Sequence, residues 1–546
     1  MKSRILAGAV IAIVFTLVSA QTVSAIDGGT LLINYRNGWQ GFEVITEGDD
    51  PTGDGFSWSM LDDFDGIGAR IVDETTLRLQ VNHETGDATI SEVNLDLEAF
   101  TTAISNTIDT SSTGGGRFVD SARQAYSRWS DDGGTTWVNT NSTSNTSFFN
   151  FCSGQSYAPH TFGEDRGFVD PIYITGEESF SNTSFQRLFA LDLENRDFYQ
   201  LSGVTGEATG GLGGMPFDSW ENAALLDTGE TDHVALLLSP DGGTQDMKIY
   251  IGEKGKGFDG SSSNDFLARN GLAYGSYYFL NDVLPAVGSS NDGTFDTTAS
   301  GALNASKHED VDTSPSQPHR AVLGNQNFGL FTLDFDLDFS SGSFDANSSS
   351  FSIEKIQNDT SNTLNAIGDQ DNVDWTAATA LGDTEYEEGL IFVNEDNSNG
   401  EVWVNTPDGD GLTLVADTTG ISPATETSGI LDISEFVGYV PGSVLLTSNQ
   451  GSTASLSVLI NPDARLLDAD YDGDGFVEGS DFLEWQSGDS PVPLSRFDLS
   501  VWQDEFGAAS ASVSSAQVPE PSCLLFALGL ICSATVFRRS PLLDGK

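Results

Sequence analysis

GLIFVNEDNSNGEVWVNTPDGDGLTLVAD, residues 389–417, contains three short apolar runs split by Asn399-Gly400 and Asp408-Gly409. Asn-Gly and Asp-Gly between runs of strand length are strong hairpin signals, because both dipeptides accept the positive φ of tight turns. The stretch reads as a three-strand meander. The same grammar recurs along the chain. TLRLQVNHE begins at Thr76 and alternates Leu77, Leu79 and Val81 with polar residues. RLFALDLENRDFYQLS (187–202) is strand, turn, strand, and HVALLLSPDGGTQDMKIYIGEK (233–254) turns at Pro240-Asp241-Gly242-Gly243. AVLGNQNFGLFTLDFDLDF (321–339) turns around Asn327 and Gly329, and residues 443–460 form another pair. Hairpins of similar size over residues 26–460 predict an all-β body, a β-propeller in preference to a β-helix or tandem sandwiches. No long helical period is read in it. Runs 103–113, 289–306 and 340–350, rich in Ser, Thr, Asn, Asp and Gly, read as surface loops.

Composition bounds the function. The 546 residues carry 23 Lys+Arg against 81 Asp+Glu, a formal net charge of -58. Such a surface repels nucleic acid, which is excluded as a partner, and attracts cations, Ca²⁺ above all. It equally suits a soluble protein in a saline setting. Only three cysteines are present, two of them, Cys523 and Cys532, in a C-terminal apolar segment. Cys152 is alone in the body, so a disulfide scaffold is excluded, and its thiol is either inert or a metal ligand.

Acids recur at related places in the hairpins. PIYITGEE, residues 171–178, is a buried-looking strand that ends in Glu177 and Glu178. Those two are either a solvated strand end or metal ligands. Glu84 follows LQVNH, Glu221 precedes NAALL, Glu309-Asp310 precede VDTSP, and Glu426 precedes TSGIL. In a propeller the innermost strand of each blade lines the central channel. One acid per blade near one end of that strand would gather a ring of like charges that needs cations. The expected site is a multi-metal centre at the channel mouth.

Residues 470–481, DYDGDGFVEGSD, place Asp470, Asp472 and Asp474 at positions 1, 3 and 5 of an EF-hand loop. Gly475 supplies the turn, Phe476 offers its carbonyl at position 7, and Asp481 closes the loop at position 12. One Ca²⁺ and two short helices are expected over residues 466–507. Asp481 followed by Phe482-Leu483-Glu484-Trp485-Gln486 resembles a type I dockerin repeat, of which Asp498 and Trp502 echo a second copy without its DxDxDG half. The incomplete repeat leaves a cohesin-like partner doubtful and favours a Ca²⁺-stiffened module.

Both ends read as addresses. Residues 1–25 form an export signal, with Lys2 and Arg4 before an apolar run and small residues up to Ala25. After a linker (508–517), residues 518–540 hold Val518-Pro519-Glu520-Pro521, an apolar segment from Cys523 to Phe537, and Arg538-Arg539. That order resembles a PEP-CTERM sorting signal. It implies recognition by an exosortase, the apolar segment as a transient membrane anchor, and delivery to the outer cell surface or extracellular matrix.

Six pieces of the body, in order, resemble the PhoX-type alkaline phosphatases. Asp65-Gly66-Ile67-Gly68 with Leu79-Gln80-Val81-Asn82-His83-Glu84 is similar to that family's DGMG…LLVNHE. Cys152-Ser153-Gly154 with Ile174-Thr175-Gly176-Glu177-Glu178 resembles its C-x-G-G…LT-x-EE. Trp220-Glu221-Asn222, Lys307-His308-Glu309-Asp310-Val311-Asp312, Asp371-Asn372 and Glu426-Thr427-Ser428-Gly429 are similar to the family's later segments. The resemblance implies a six-bladed propeller with iron and Ca²⁺ in its channel, hydrolysing phosphate monoesters. Carried over, Glu84, Cys152, Glu178, Glu221 and Glu426 become metal ligands. A thiolate suits a transition metal and carboxylates suit iron or Ca²⁺. Departures are an insertion from Gln155 to Val169, Trp220 where the family has His, and few basic residues near the motifs: Arg117, Arg128, Arg166 and Lys307. His83 is read either as orienting a ligand or as a satisfied structural residue. Against the phosphatase stands a non-catalytic, calcium-stabilised surface or matrix protein.

Overall fold

The computed structural model describes residues 33–507, apart from 50, 52–59, 111–116, 141–147, 181, 209, 361–363, 365, 422–423, 452 and 473–475. The export signal, the linker and the sorting segment lie outside the described residues. The chain divides into two compact units, Met1–Leu467 and Asp468–Lys546.

The first unit is a six-bladed propeller. Its innermost strands are Phe64–Asp73, Gly154–Tyr157, Trp220–Leu226, His308–Thr313, Gln370–Trp375 and Ala424–Asp432. Each touches the next, and the sixth touches the first. From each inner strand the chain meanders outward in antiparallel order. The meander read from residues 389–417 is the outer part of blade five, strands Ile391–Glu395, Val402–Asn405 and Thr413–Asp417.

The ring is closed by the N-terminal residues. Asn34–Tyr35 adds to the edge of blade five at Asp417 and Ala416, and Glu43–Thr46 adds to the edge of blade six along Ser455–Ser457. Two open edges are thereby paired. Arg36 and Asn34 both bind the Asp417 carboxylate.

Apolar layers fill the spaces between blades. Leu77, Leu79, Val81 and Val93 of blade one pack with Val444, Leu446 and Val458 of blade six. Ile172, Ile174 and Leu188 of blade two pack with Ala223, Leu225 and Leu236 of blade three. Each such side chain contributes about 1.5–3 kcal/mol by leaving water.

Inner strands of adjacent blades form no ladder with one another, so their backbone donors need other partners. Buried aspartates supply them. Asp310 and Asp312 of blade four accept from the N–H groups of Val373 (2.9 Å) and Trp375 (2.6 Å) of blade five. Asp374 of blade five accepts from the N–H of Asp432 in blade six (3.2 Å).

Two expected loops are regular structure. Residues 103–113 belong mostly to the helix Leu97–Thr110. Phe100, Ala103, Ile104 and Thr107 are buried at helical spacing, and Asp96 caps the start by accepting from Ala99 N–H (2.9 Å). Ser, Thr and Asn around that narrow stripe hid it. Within 289–306, Ser290–Asp296 is a strand that pairs with both Tyr274–Asn281 and Ser350–Asn358. It joins blades three and four into one sheet, held mainly by backbone bonds that need no apolar alternation.

Two glycines mark close approaches between blades. A Cβ on Gly176, at the end of PIYITG, would lie 2.1 Å from the Trp220 carbonyl oxygen. One on Gly66 would lie 2.7 Å from the carbonyl oxygen of Cys152. Gly176→Ala is expected to destabilise the chain by about 1–3 kcal/mol through overpacking against backbone. Urea unfolding measures it, and an unchanged midpoint would show that the approach is not a constraint.

Candidate metal centre

Two positions per blade feed one end of the channel. The first is the start of the inner strand: Asp65, Cys152, Glu221, Glu309, Asp371 and Glu426 in blades one to six. The second is the end of the next strand, which runs antiparallel and so finishes beside that start. It supplies Glu84, Glu178, Asp241, Asp396 and Gln450 in blades one, two, three, five and six. Blade four departs: Lys307 precedes its inner strand, and Gln326, directly after its second strand, contributes no carboxylate but donates to Asp396 (2.6 Å). The sequence expectation of one acid per blade, on the innermost strand, is therefore corrected to a pair drawn from adjacent strands.

A backbone irregularity aims the inner-strand acids. Asp65, Glu221, Glu309, Asp371 and Glu426 each sit where the pairing register with the second strand shifts. A bulge lets two successive side chains escape strict alternation. The acid turns to the channel mouth, and a polar residue one or two places after it bonds to another blade. Asn222 donates to Asp310 (2.6 Å), Asn372 donates to Ser153 Oγ (2.5 Å), and Ser428 donates to Asp65 (2.6 Å).

The resulting cavity, of about 310 Å³, is lined by ten carboxylates, Cys152, Gln450 and one cation, Lys307. Three ligand groups within it are contiguous. Asp65, Glu84 and Cys152 offer atoms within 4.8 Å of one another; so do Cys152, Glu178 and Glu221, and so do Glu221, Asp241 and Glu309. Cys152 and Glu221 are shared, which links the groups in a row. Cys152 Sγ lies 3.4 Å from Glu178 Oε2, and Glu221 Oε1 accepts from Ser153 N–H (3.1 Å) and Oγ (3.0 Å). Glu178 Oε1 is buried with no hydrogen-bond partner.

Two unit charges 4 Å apart repel by about 4 kcal/mol at an effective dielectric near 20. The protonation equilibria register this crowding. Burial, then the Asp241 carboxylate, pushes Glu178 up to about 10. Burial and Asp396 push Glu426 up to about 9. Burial, then Glu221 and Glu84, drives the Cys152 thiol well above its ordinary value. Lys307 is opposed by burial but held charged by Glu309 and Asp241, at 3.1 and 2.8 Å. A thiolate and clustered carboxylates with a buried orphan oxygen fit a transition metal beside harder cations.

Of the acids singled out in sequence, Glu84, Glu178, Glu221, Glu309 and Glu426 meet Cys152 here. Glu177 does not. Its carboxylate points away, into a fork with Arg187, and accepts from Phe149 N–H (2.8 Å). His83 is buried against Asp62 O (2.9 Å) and Ser91 Oγ (2.7 Å), off the cavity lining, and burial lowers it to about 4. Arg128 and Arg166 pair with Asp197 and Asp227. Asp63, Asp65, Asp241, Asp371 and Asp396 join the lining beyond the acids expected from the sequence. Asp241 and Asp396 sit in turn sequences where Asp is ordinary, and only the exits of second strands mark them.

In the second unit, Asp470, Asp472 and Asp481 bring oxygens within 4.8 Å of one another. Asp474 lies outside the described residues, and the Phe476 side chain is exposed. Asp481 accepts from the N–H groups of Tyr471 (2.7 Å) and Glu478 (2.7 Å), which folds the loop onto the start of helix Gly479–Ser487. Trp485 donates to Ser495 O, at the start of helix Arg496–Glu505, and Trp502 donates to Glu478 O, both at 2.7 Å. Each helix thus braces the start of the other.

No protein-family model matches this sequence, and no curated protein matches it. Among solved structures it is similar to Pseudomonas fluorescens PhoX in complex with vanadate, a transition state analogue, at 11% identity and a TM-score of 0.50, covering 79% of this chain and 96% of that chain. It also matches the Cps50 (Swd1) β-propeller domain of Myceliophteria thermophila (9% identity, TM-score 0.30, 78% and 99% covered) and Sqt1 of Chaetomium thermophilum (11%, 0.32, 76% and 99%). The likeness to PhoX is one of fold.

Carboxyl groups raised on folding favour the folded state below their unfolded value, 4.5, and lose that contribution as pH climbs towards about 9 or 10. The chelator-stripped protein is expected to melt at progressively lower temperature between pH 5 and pH 9. Ca²⁺ and iron, which bind the charged form, should flatten that slope. A metal-free melting temperature that stays level or rises with pH would contradict the crowding.

Proposed function

We propose that this propeller is a metal-dependent phosphomonoesterase working at the channel mouth. The observation that carries the reading is the row of three ligand groups joined through Cys152 and Glu221. The ordered motifs and the fold shared with a vanadate-bound phosphatase support it. Cys152 would hold iron, and Glu84, Glu178, Glu221, Asp241, Glu309 and Glu426 would hold iron and Ca²⁺. Bound metals neutralise a phosphoryl group, polarise it and supply an oxygen nucleophile. The chain itself positions. Gln450 donates to Glu84 (2.8 Å) and Ser428 to Asp65, fixing those carboxylates. Lys307, tied to Asp241 and Glu309, offers the substrate its only basic lining group among the described residues.

That commitment of Lys307 favours the second reading, a non-catalytic, Ca²⁺-stabilised surface or matrix protein. In both, the chain is exported, sorted outward by an exosortase, and carries a Ca²⁺-stiffened dockerin-like module. The mutual bracing of its two helices supports a compact module whether or not a cohesin-like partner exists.

Purified mature protein with Ca²⁺ and iron is expected to hydrolyse an aryl phosphate. Glu178→Ala should lose both metal content and activity, and Glu177→Gln should retain the channel metal. Bound Ca²⁺ without iron or hydrolysis would instead support the second reading.

A further inference from the structure

Blade five carries a row of buried polar side chains outside the channel. Gln370 on the inner strand stands opposite Glu395 on the second. Asn394 pairs with Val402, so Glu395 in turn stands opposite Glu401, at the start of the third strand. All three are 0% exposed. None of the three belongs to the channel lining, into which the residue after Glu395, Asp396, projects.

Their hydrogen bonding is incomplete. Glu395 accepts from Gly368 N–H (2.6 Å) and Asn397 Nδ2 (2.7 Å). Both carboxylate oxygens of Glu401 and both amide atoms of Gln370 are buried without a partner. Like charges directly opposed across strands are unfavourable, and a buried carboxylate with no partner costs several kcal/mol, as an order of magnitude.

Blade two answers the same problem differently. There Gly176 pairs with Leu188, which sets Glu177 opposite Arg187 at the equivalent place, and Arg187 neutralises it. Glu395-Asp396 corresponds to Glu177-Glu178, and Glu401 stands where blade two has Arg187. The positive charge that blade two builds into the chain is missing from blade five. A proton shared by Glu395 and Glu401 would remove their repulsion but leave Gln370 and the remaining Glu401 oxygen unsatisfied. A cation takes Gln370 Oε1 and the open Glu401 oxygens as ligands together, and an all-oxygen donor set selects a hard one.

We propose that Gln370, Glu395 and Glu401 form a lateral binding site for one hard divalent cation of the Ca²⁺ type, separate from the channel, which locks the first three strands of blade five together. Gln370 would offer Oε1, the orientation its unpartnered amide leaves open. The site holds whether or not the channel hydrolyses phosphate esters.

The test strips the full chain with chelator, titrates it with Ca²⁺ alone and counts bound calcium by equilibrium dialysis with elemental analysis. Wild type should bind one more Ca²⁺ per chain than Glu401→Gln. Gln370→Met, which keeps both carboxylates, should weaken that same ion by about tenfold or more. Glu178→Ala, which disturbs the channel, should still lose one further Ca²⁺ when combined with Glu401→Gln. If Glu401→Gln binds as many ions as wild type, the two glutamates share a proton and the proposal fails. Should Glu401→Gln not fold, unchanged calcium number and affinity in Gln370→Met overturn it as well.

Discussion

Ten carboxylates around a single lysine is the constraint on which this propeller turns. Mutual repulsion and burial both act against so many charged acids in one cavity, and both are relieved by cations. The scaffold must therefore hold ligands apart from one another yet close enough to share ions. It does so with two turns of the same device, repeated blade by blade. A bulge aims the start of the inner strand at the axis, and the antiparallel neighbour ends beside it.

Because the ligands come from different blades, any ion bound in the channel ties those blades together. Asp65 and Glu84 arrive from blade one, Cys152 and Glu178 from blade two, Glu221 and Asp241 from blade three, and Glu309 from blade four. Ion binding is then linked to the stability of the ring, since the unfolded chain cannot offer this constellation. The layer beneath the acids is neutral or satisfied. Asn222, Asn372, Ser428 and the aspartates that cap backbone donors hold the inner strands in register without asking for metal. Gly66 and Gly176 let the strands come close enough for that layer to form.

Adjacent acids in this chain face different surroundings. Glu177 and Glu178 sit next to each other, yet one is neutralised by Arg187 and the other reaches Cys152. Glu395 and Asp396 divide in the same way between a buried row and the channel. Strand pleating separates neighbours to opposite sides, so a doublet of carboxylates at a strand exit is two sites and not one.

The sequence by itself determined the meanders, because apolar runs between Asn-Gly, Asp-Gly and Gly-Gly turns are local signals. It also marked three inner-strand acids, Glu221, Glu309 and Glu426, each set at the head of an apolar strand. The acidic cluster of Asp470, Asp472 and Asp481 was legible for the same reason, since its members are neighbours in the chain. It misjudged the helix Leu97–Thr110, whose apolar stripe is narrow, and the strand Ser290–Asp296, whose pairing is mostly backbone. What only the tertiary structure decided is which of two adjacent acids faces the axis, and that Asp241 and Asp396 join it. Those outcomes depend on register shifts and on partners such as Arg187 that another strand supplies. Pairing of that kind is fixed by closure of the ring and leaves no local mark in the sequence.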